Sequence, residues 1–217
     1  MSRKPQMIKV EVPKVVQDEL LAAAAAEYNR ECMGLLFGWV SKKGTKYEID
    51  CAIPIQTARR TKDTVYVQNK DRKRLDRMVK VFAPRDISLV GFYHSHPNYK
   101  PSPSPDDIGA TLEDAAYMLP KGRKPIEIII GVSAKKRSAG RVRFVEKEVK
   151  MNLKLSEFKK GELPDGERFV TAIGRLIRVP VSENRYQEYR MAAWAFYLDP
   201  RDQDIECFEA CQIKVTS

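Results

Sequence analysis

Residues 88–107 read SLVGFYHSHPNYKPSPSPDD and contain the only two histidines of the chain, His94 and His96. Ser88 to His94 reads as a strand, an apolar run that leads into the histidine pair. Side chains two apart at a strand end point to one side. The proline-rich residues 97–105 then lead to DDIGATLEDAAYML, residues 106–119, where Ile108, Leu112, Ala115, Ala116 and Leu119 recur at helical spacing. Asp107, eleven residues after His96, can therefore supply a third ligand from the start of that helix. Two imidazoles and a carboxylate make three corners of a tetrahedral zinc site, and the fourth falls to water. Water held there has its pKa lowered toward about 7.

Working outward, residues 13–28 open with Pro13, which is tolerated in a first helical turn. They continue through Val16, Leu20, Leu21 and an alanine run, predicting a helix with one apolar face that ends before Glu31. The apolar, glycine-punctuated CMGLLFGWV (32–40), the turn 42–45 and the alternating segment 46–55 predict a hairpin. Residues 64–68 read as a short third strand. Residues 71–82 carry Leu75, Met78, Val79 and Phe82 at helical spacing under a basic outer face. Downstream, IEIIIGVS (126–133) reads as a buried strand and 141–149 as another. Residues 150–185 are polar and mixed, and read as an insertion within a single domain spanning 1–217. Closing strands are expected at about 190–215, in MAAWAFYL (191–198) and in 205–215, with a helix over 184–198 as the rival reading.

A hydrophobic content of 43% suffices for a core. Thirty-nine Lys and Arg against 29 Asp and Glu give a net charge of +10. The basic residues are scattered without the aromatic interleaving of a base-stacking platform, so a solvated surface is the expectation and a nucleic-acid partner is disfavoured. Cys32, Cys51, Cys207 and Cys211 form no CxxC pair and follow no signal peptide, as expected of a reduced cytoplasmic protein. The apolar run 20–26 is far shorter than the ~20 residues of a membrane span, which excludes insertion by a helix there.

ECMGLLFG (31–38), then HSHP (94–97), five residues, and Pro103-Ser104-x-x-Asp107 resemble the JAMM, or catalytic MPN, metalloprotease family. The first segment is similar to that of the proteasome-lid deubiquitinase and its archaeal relatives, and the Pro-Ser-Pro-Ser-Pro stretch to the prokaryotic branch. The resemblance implies an α/β (α+β) fold of the cytidine-deaminase-like type. That is a curved mixed β-sheet flanked by helices, with the zinc site at a strand end and a helix N-terminus. It implies one Zn2+ per chain on His94, His96 and Asp107, Glu31 as general acid/base on the metal-bound water, and Ser104 as hydrogen-bond donor to the oxyanion. It further implies an isopeptidase acting on ubiquitin or ubiquitin-like conjugates, with the proteasome or another MPN protein as a further partner. An extended Gly-Gly tail would be held by backbone pairing to a sheet edge, and position suggests Gln56 to Tyr66, including Gln56, Thr57, Arg59 and Arg60.

Each residue also has an ordinary role. Ser104 before Pro105, Asp106 and Asp107 is a good helix N-cap, and Glu31 alone would be a helix-end carboxylate. Cys32 lacks a further histidine to serve as its base. Two other classes compete with the enzyme: a non-catalytic MPN scaffold, whose members have typically lost ligands, and a basic nucleic-acid-binding protein, for which no motif is present.

Overall fold

Five residues, KVEVP, decide the architecture. In the computed structural model, which describes residues 7–55, 59–60, 65–66, 69–85, 87–137, 140–154, 169–198 and 206–217, they form strand β1 (Lys9–Pro13). The elements that follow are α1 (Lys14–Ala26), β2 (Met33–Val40), β3 (Lys46–Pro54), β4 (Arg59–Arg60), β5 (Val65–Tyr66), α2 (Asn69–Phe82) and β6 (Ser88–Pro97). Then come α3 (Pro105–Met118), β7 (Ile126–Lys136), β8 (Val145–Lys154), β9 (Phe169–Pro180), β10 (Arg185–Leu198) and β11 (Glu206–Thr216). β1 runs parallel to β3 on one side, with Val10 beside Tyr47, and parallel to β11 on the other, with Val10 beside Ile213.

That double pairing closes the sheet. The order β1-β3-β2-β6-β7-β10-β11 returns to β1. β9 lies along the first half of β10 and meets β11 at Ile173 and Gln212, making an eight-stranded mixed barrel, and β8 is added on its outer side. The helix-flanked curved sheet expected from the sequence is thereby corrected: the fold is a closed barrel with three α-helices among the described residues. The cause is β1. Its alternating Val10 and Val12 are both fully buried, in a segment ahead of the expected helix for which the sequence reading names no strand. Pro13 ends the strand, and the helix begins at Lys14.

Closure gives the barrel two distinct faces. Val16, Leu20 and Ala24 of α1 pack with Val10, Leu36, Tyr47, Ile128, Met191 and Ile213, side chains drawn from around the ring, so α1 serves the inner face. On the outer face Leu75 of α2 packs with Leu35, Phe37, Leu89 and Phe92, while Ile108 of α3 packs with Ile129, Ala192, Trp194 and Phe196. Strands covered on both sides read as continuous apolar runs, which is why 126–132 and 191–196 show little alternation. Truncating a fully buried Leu20 to alanine would cost about 2–5 kcal/mol.

One irregularity orients the rest. Leu36 pairs with Gly91 and Phe37 with Leu89, so Val90 is an extra residue bulged from β6. Leu89 faces the outer core, Val90 the inner core, and Phe92 the outer core again. Without the bulge, strict alternation from Leu89 would turn His94 and His96 into the apolar interior.

Candidate metal centre

β6 carries the two histidines outward beneath the N-terminus of α3. His94 Nε2 lies 2.7 Å from His96 Nε2 and 3.4 Å from Asp107 Oδ1, and His96 Nε2 lies 3.6 Å from Asp107 Oδ2. Tetrahedral zinc with bonds of about 2.0–2.1 Å needs ligand atoms about 3.3 Å apart. Each imidazole lies near that distance from an Asp107 oxygen, His94 from Oδ1 and His96 from Oδ2. Binding through one oxygen needs a small turn of the carboxylate, and the imidazoles must part by about half an ångström. His94, His96 and Asp107 are the group able to hold a metal ion among the described residues.

The outward-facing nitrogens of both rings are fixed from behind. His94 Nδ1 is 2.8 Å from Glu127 Oε1, and Thr111 Oγ1 donates to Glu127 Oε2 at 2.8 Å. His96 Nδ1 is 3.1 Å from the Lys100 carbonyl. A carboxylate and a carbonyl can only accept, so each ring carries its proton on Nδ1 and turns an Nε2 lone pair toward the other. Two Nε2 atoms presented in this way beside the Asp107 carboxylate form a donor set suited to a metal cation, and this is the observation by which the site fits a metal. Burial opposes a charge on His94, but the Glu127 and Asp107 carboxylates outweigh it and push its pKa up to about 9. Burial likewise opposes charge on Asp107, yet the His94 and His96 rings hold its carboxyl well below the usual range.

Asp107 owes its place to the start of α3. Ser104 Oγ accepts from Asp107 N at 3.1 Å and Ser104 N donates to Asp107 Oδ2 at 2.7 Å, a capping box with Pro105 opening the helix. The ordinary role expected of Ser104 is thus present, and its hydroxyl hydrogen is still available to donate. The connecting loop is pinned at three points. Asn98 N donates to Val132 O at 2.6 Å, the Lys100 carbonyl meets His96, and Trp194 Nε1 donates to Pro101 O at 3.0 Å. Gly131 allows this close approach, since a Cβ there would lie 2.5 Å from Tyr99 O.

Glu31 is buried and precedes a short tether to the site: Cys32 N donates to Ser95 Oγ and Ser95 N to Cys32 O, both at 2.9 Å. Its charge is one of those acting on His94, although it does not belong to the ligand triangle. Of the expected tail-binding edge, Gln56 and Thr57 lie outside the described residues. Arg59 and Arg60 form β4, which pairs with β5 in a separate two-stranded sheet. Sequence reasoning missed Glu127 and Thr111. The available signal was a lone carboxylate in an apolar strand, where charge is rarely buried without a partner.

Among proteins with curated descriptions, none matches the chain. A solved structure that does is the solution structure of protein DSY2949 from Desulfitobacterium hafniense. It is 14% identical, with 96% of this chain and 93% of that one covered and a TM-score of 0.49. The family described as prokaryotic homologs of the JAB domain matches residues 13–145, a span that runs from the foot of α1 past all three site segments. With that match over more than half its length, the chain belongs to the prokaryotic JAB branch of the JAMM/MPN family.

Proposed function

We propose that the protein is a zinc-dependent isopeptidase that hydrolyses the amide between the C-terminal glycine of ubiquitin, or of a ubiquitin-like modifier, and a substrate lysine. The observation that carries this reading is the outward triangle of His94, His96 and Asp107, with both rings fixed to present Nε2. Zinc, when bound there, supplies a Lewis acid and lowers the pKa of water toward about 7. The residues around it divide the remaining work. Glu31, buried and tethered through Cys32 to Ser95, takes the proton of the attacking water and returns it to the leaving lysine amine. Ser104, at the positive end of α3, donates its hydroxyl to the oxygen on which negative charge develops. Glu127 and Lys100 O hold the imidazole orientations.

The test incubates the zinc-loaded protein with lysine-linked ubiquitin-like conjugates beside a Glu31→Gln variant and a chelated sample. Cleavage is expected from the first alone, with kcat lowered about 100-fold or more in the variant. Full activity in the variant or in chelated protein would overturn the assignment.

A further inference from the structure

β7 runs on past the metal centre. His96 pairs with Gly131 and the paired stretch of β6 ends at Pro97, while β7 continues to Lys136. Arg137 lies six residues beyond Gly131, about 20 Å along the strand. Here a hollow of about 730 Å³ is lined by Arg137, Arg141, Arg143 and Arg178 together with Tyr186. A second hollow of about 600 Å³ shares Arg141 and Arg143 and adds Phe144, whose side chain is 59% exposed.

The arginines are held by structured backbone. Val142 is buried and donates its N–H to Glu183 O at 2.8 Å, so Arg141 and Arg143 flank a fixed residue and both face solvent. Arg137 N donates to Asn184 O at 2.8 Å, and its Nη1 donates to Arg141 O at 3.1 Å. Among the described residues no carboxylate lines the larger hollow, and Glu183 lines the second. Glu188, which accepts Arg178 Nε at 2.7 Å, is buried and also bound by Arg190 Nε at 3.0 Å, so its charge is already matched. Like charges converging on one volume repel until an anion enters. Guanidinium forks match phosphate oxygens.

We propose that the paired hollows bind a nucleoside phosphate, either free or as a unit of a single strand, with the arginines on phosphate and the exposed Phe144 offering its ring face to the base. The volume of the larger hollow suits a ligand of that size. A protein carboxylate would also meet the arginines, but it makes no use of an exposed Phe144.

Fluorescence anisotropy with a labelled ten-nucleotide single-stranded RNA and with a fluorescent ATP analogue tests this at low salt. The Arg141→Ala/Arg143→Ala variant is expected to lose binding about tenfold and to show a shallower salt dependence at unchanged melting temperature. Phe144→Leu is expected to lose about fivefold with the salt slope unchanged. His96→Ala should bind as the wild type does, separating this site from the metal centre. Preference for the ATP analogue identifies a free nucleotide, and preference for the RNA identifies a strand. Failure of both probes to bind, undiminished binding in the double-arginine variant, or equal competition by oligoglutamate would overturn the proposal.

Discussion

Glu127 Oε1 lies 2.8 Å from His94 Nδ1, a contact between two buried groups 33 residues apart. The carboxylate fixes the ring's tautomer and aim, and Thr111 occupies its second oxygen. Partners behind metal-bound histidines typically contribute tenfold to a hundredfold in affinity. Glu127→Gln preserves the shape but removes the charge, so zinc affinity measured against a chromophoric chelator should fall about tenfold. Thr111→Val should weaken it less, since the carboxylate remains. An unaltered affinity in Glu127→Gln would leave Glu127 without a role in the site.

Gly131 sits opposite His96 on β7 and leaves room for the loop that carries Lys100 and Pro101. A methyl group there meets Tyr99 O at 2.5 Å and the Pro101 ring at 3.1 Å, so the loop must move away. Gly131→Ala should destabilise the fold by about 1–3 kcal/mol in a denaturant melt. It should also weaken zinc binding, because the displaced Lys100 carbonyl no longer steadies His96. A variant destabilised but unchanged in zinc affinity would confine Gly131 to packing.

The convergence of the metal-ligand candidates is legible in the sequence because it depends on local spacing: two residues on a strand, then a short loop, then a helix start marked by Ser104, Pro105 and acids. The closed barrel is not legible. It depends on β1, five residues whose partners Lys46 and Gln212 lie far along the chain in opposite parallel ladders. The outward turn of His94 and His96 depends on the bulge at Val90, which alters pairing without altering composition. Glu127 was hidden for the same reason, since IEIIIGVS reads as a strand whatever its carboxylate meets. Its partners come from β6 and α3, elements that only the closed fold places against it.

Metal should stabilise the protein as well as arm it. A ligand that binds only the folded state at 100 times its Kd contributes about 2.7 kcal/mol. For a chain of this size that corresponds to a rise in melting temperature of about 5–10 °C. Zinc should therefore raise the Tm of chelator-treated protein, and His96→Ala should abolish the rise while leaving the metal-free Tm close to that of the wild type. A zinc-induced rise that survives His96→Ala would place the ion elsewhere.

Glu188 offers a pH test away from the metal. Burial opposes its charge, but hydrogen bonds from Arg178 and the nearby Arg190 guanidinium win and hold its carboxyl below the ordinary range. A depressed folded pKa means that the stabilisation is complete above the unfolded value, near 4.3, and is lost as pH falls through the folded one. Glu188→Gln should cost about 1–3 kcal/mol at pH 7, because it leaves Arg178 and Arg190 without their anion. The gap between variant and wild type should then narrow as pH falls below the unfolded value and close once pH has passed through the depressed folded pKa, where the wild-type carboxyl is itself protonated. Urea melts at pH 7 and at several acidic values would follow this gap, and a gap independent of pH would show that Glu188 contributes shape rather than charge.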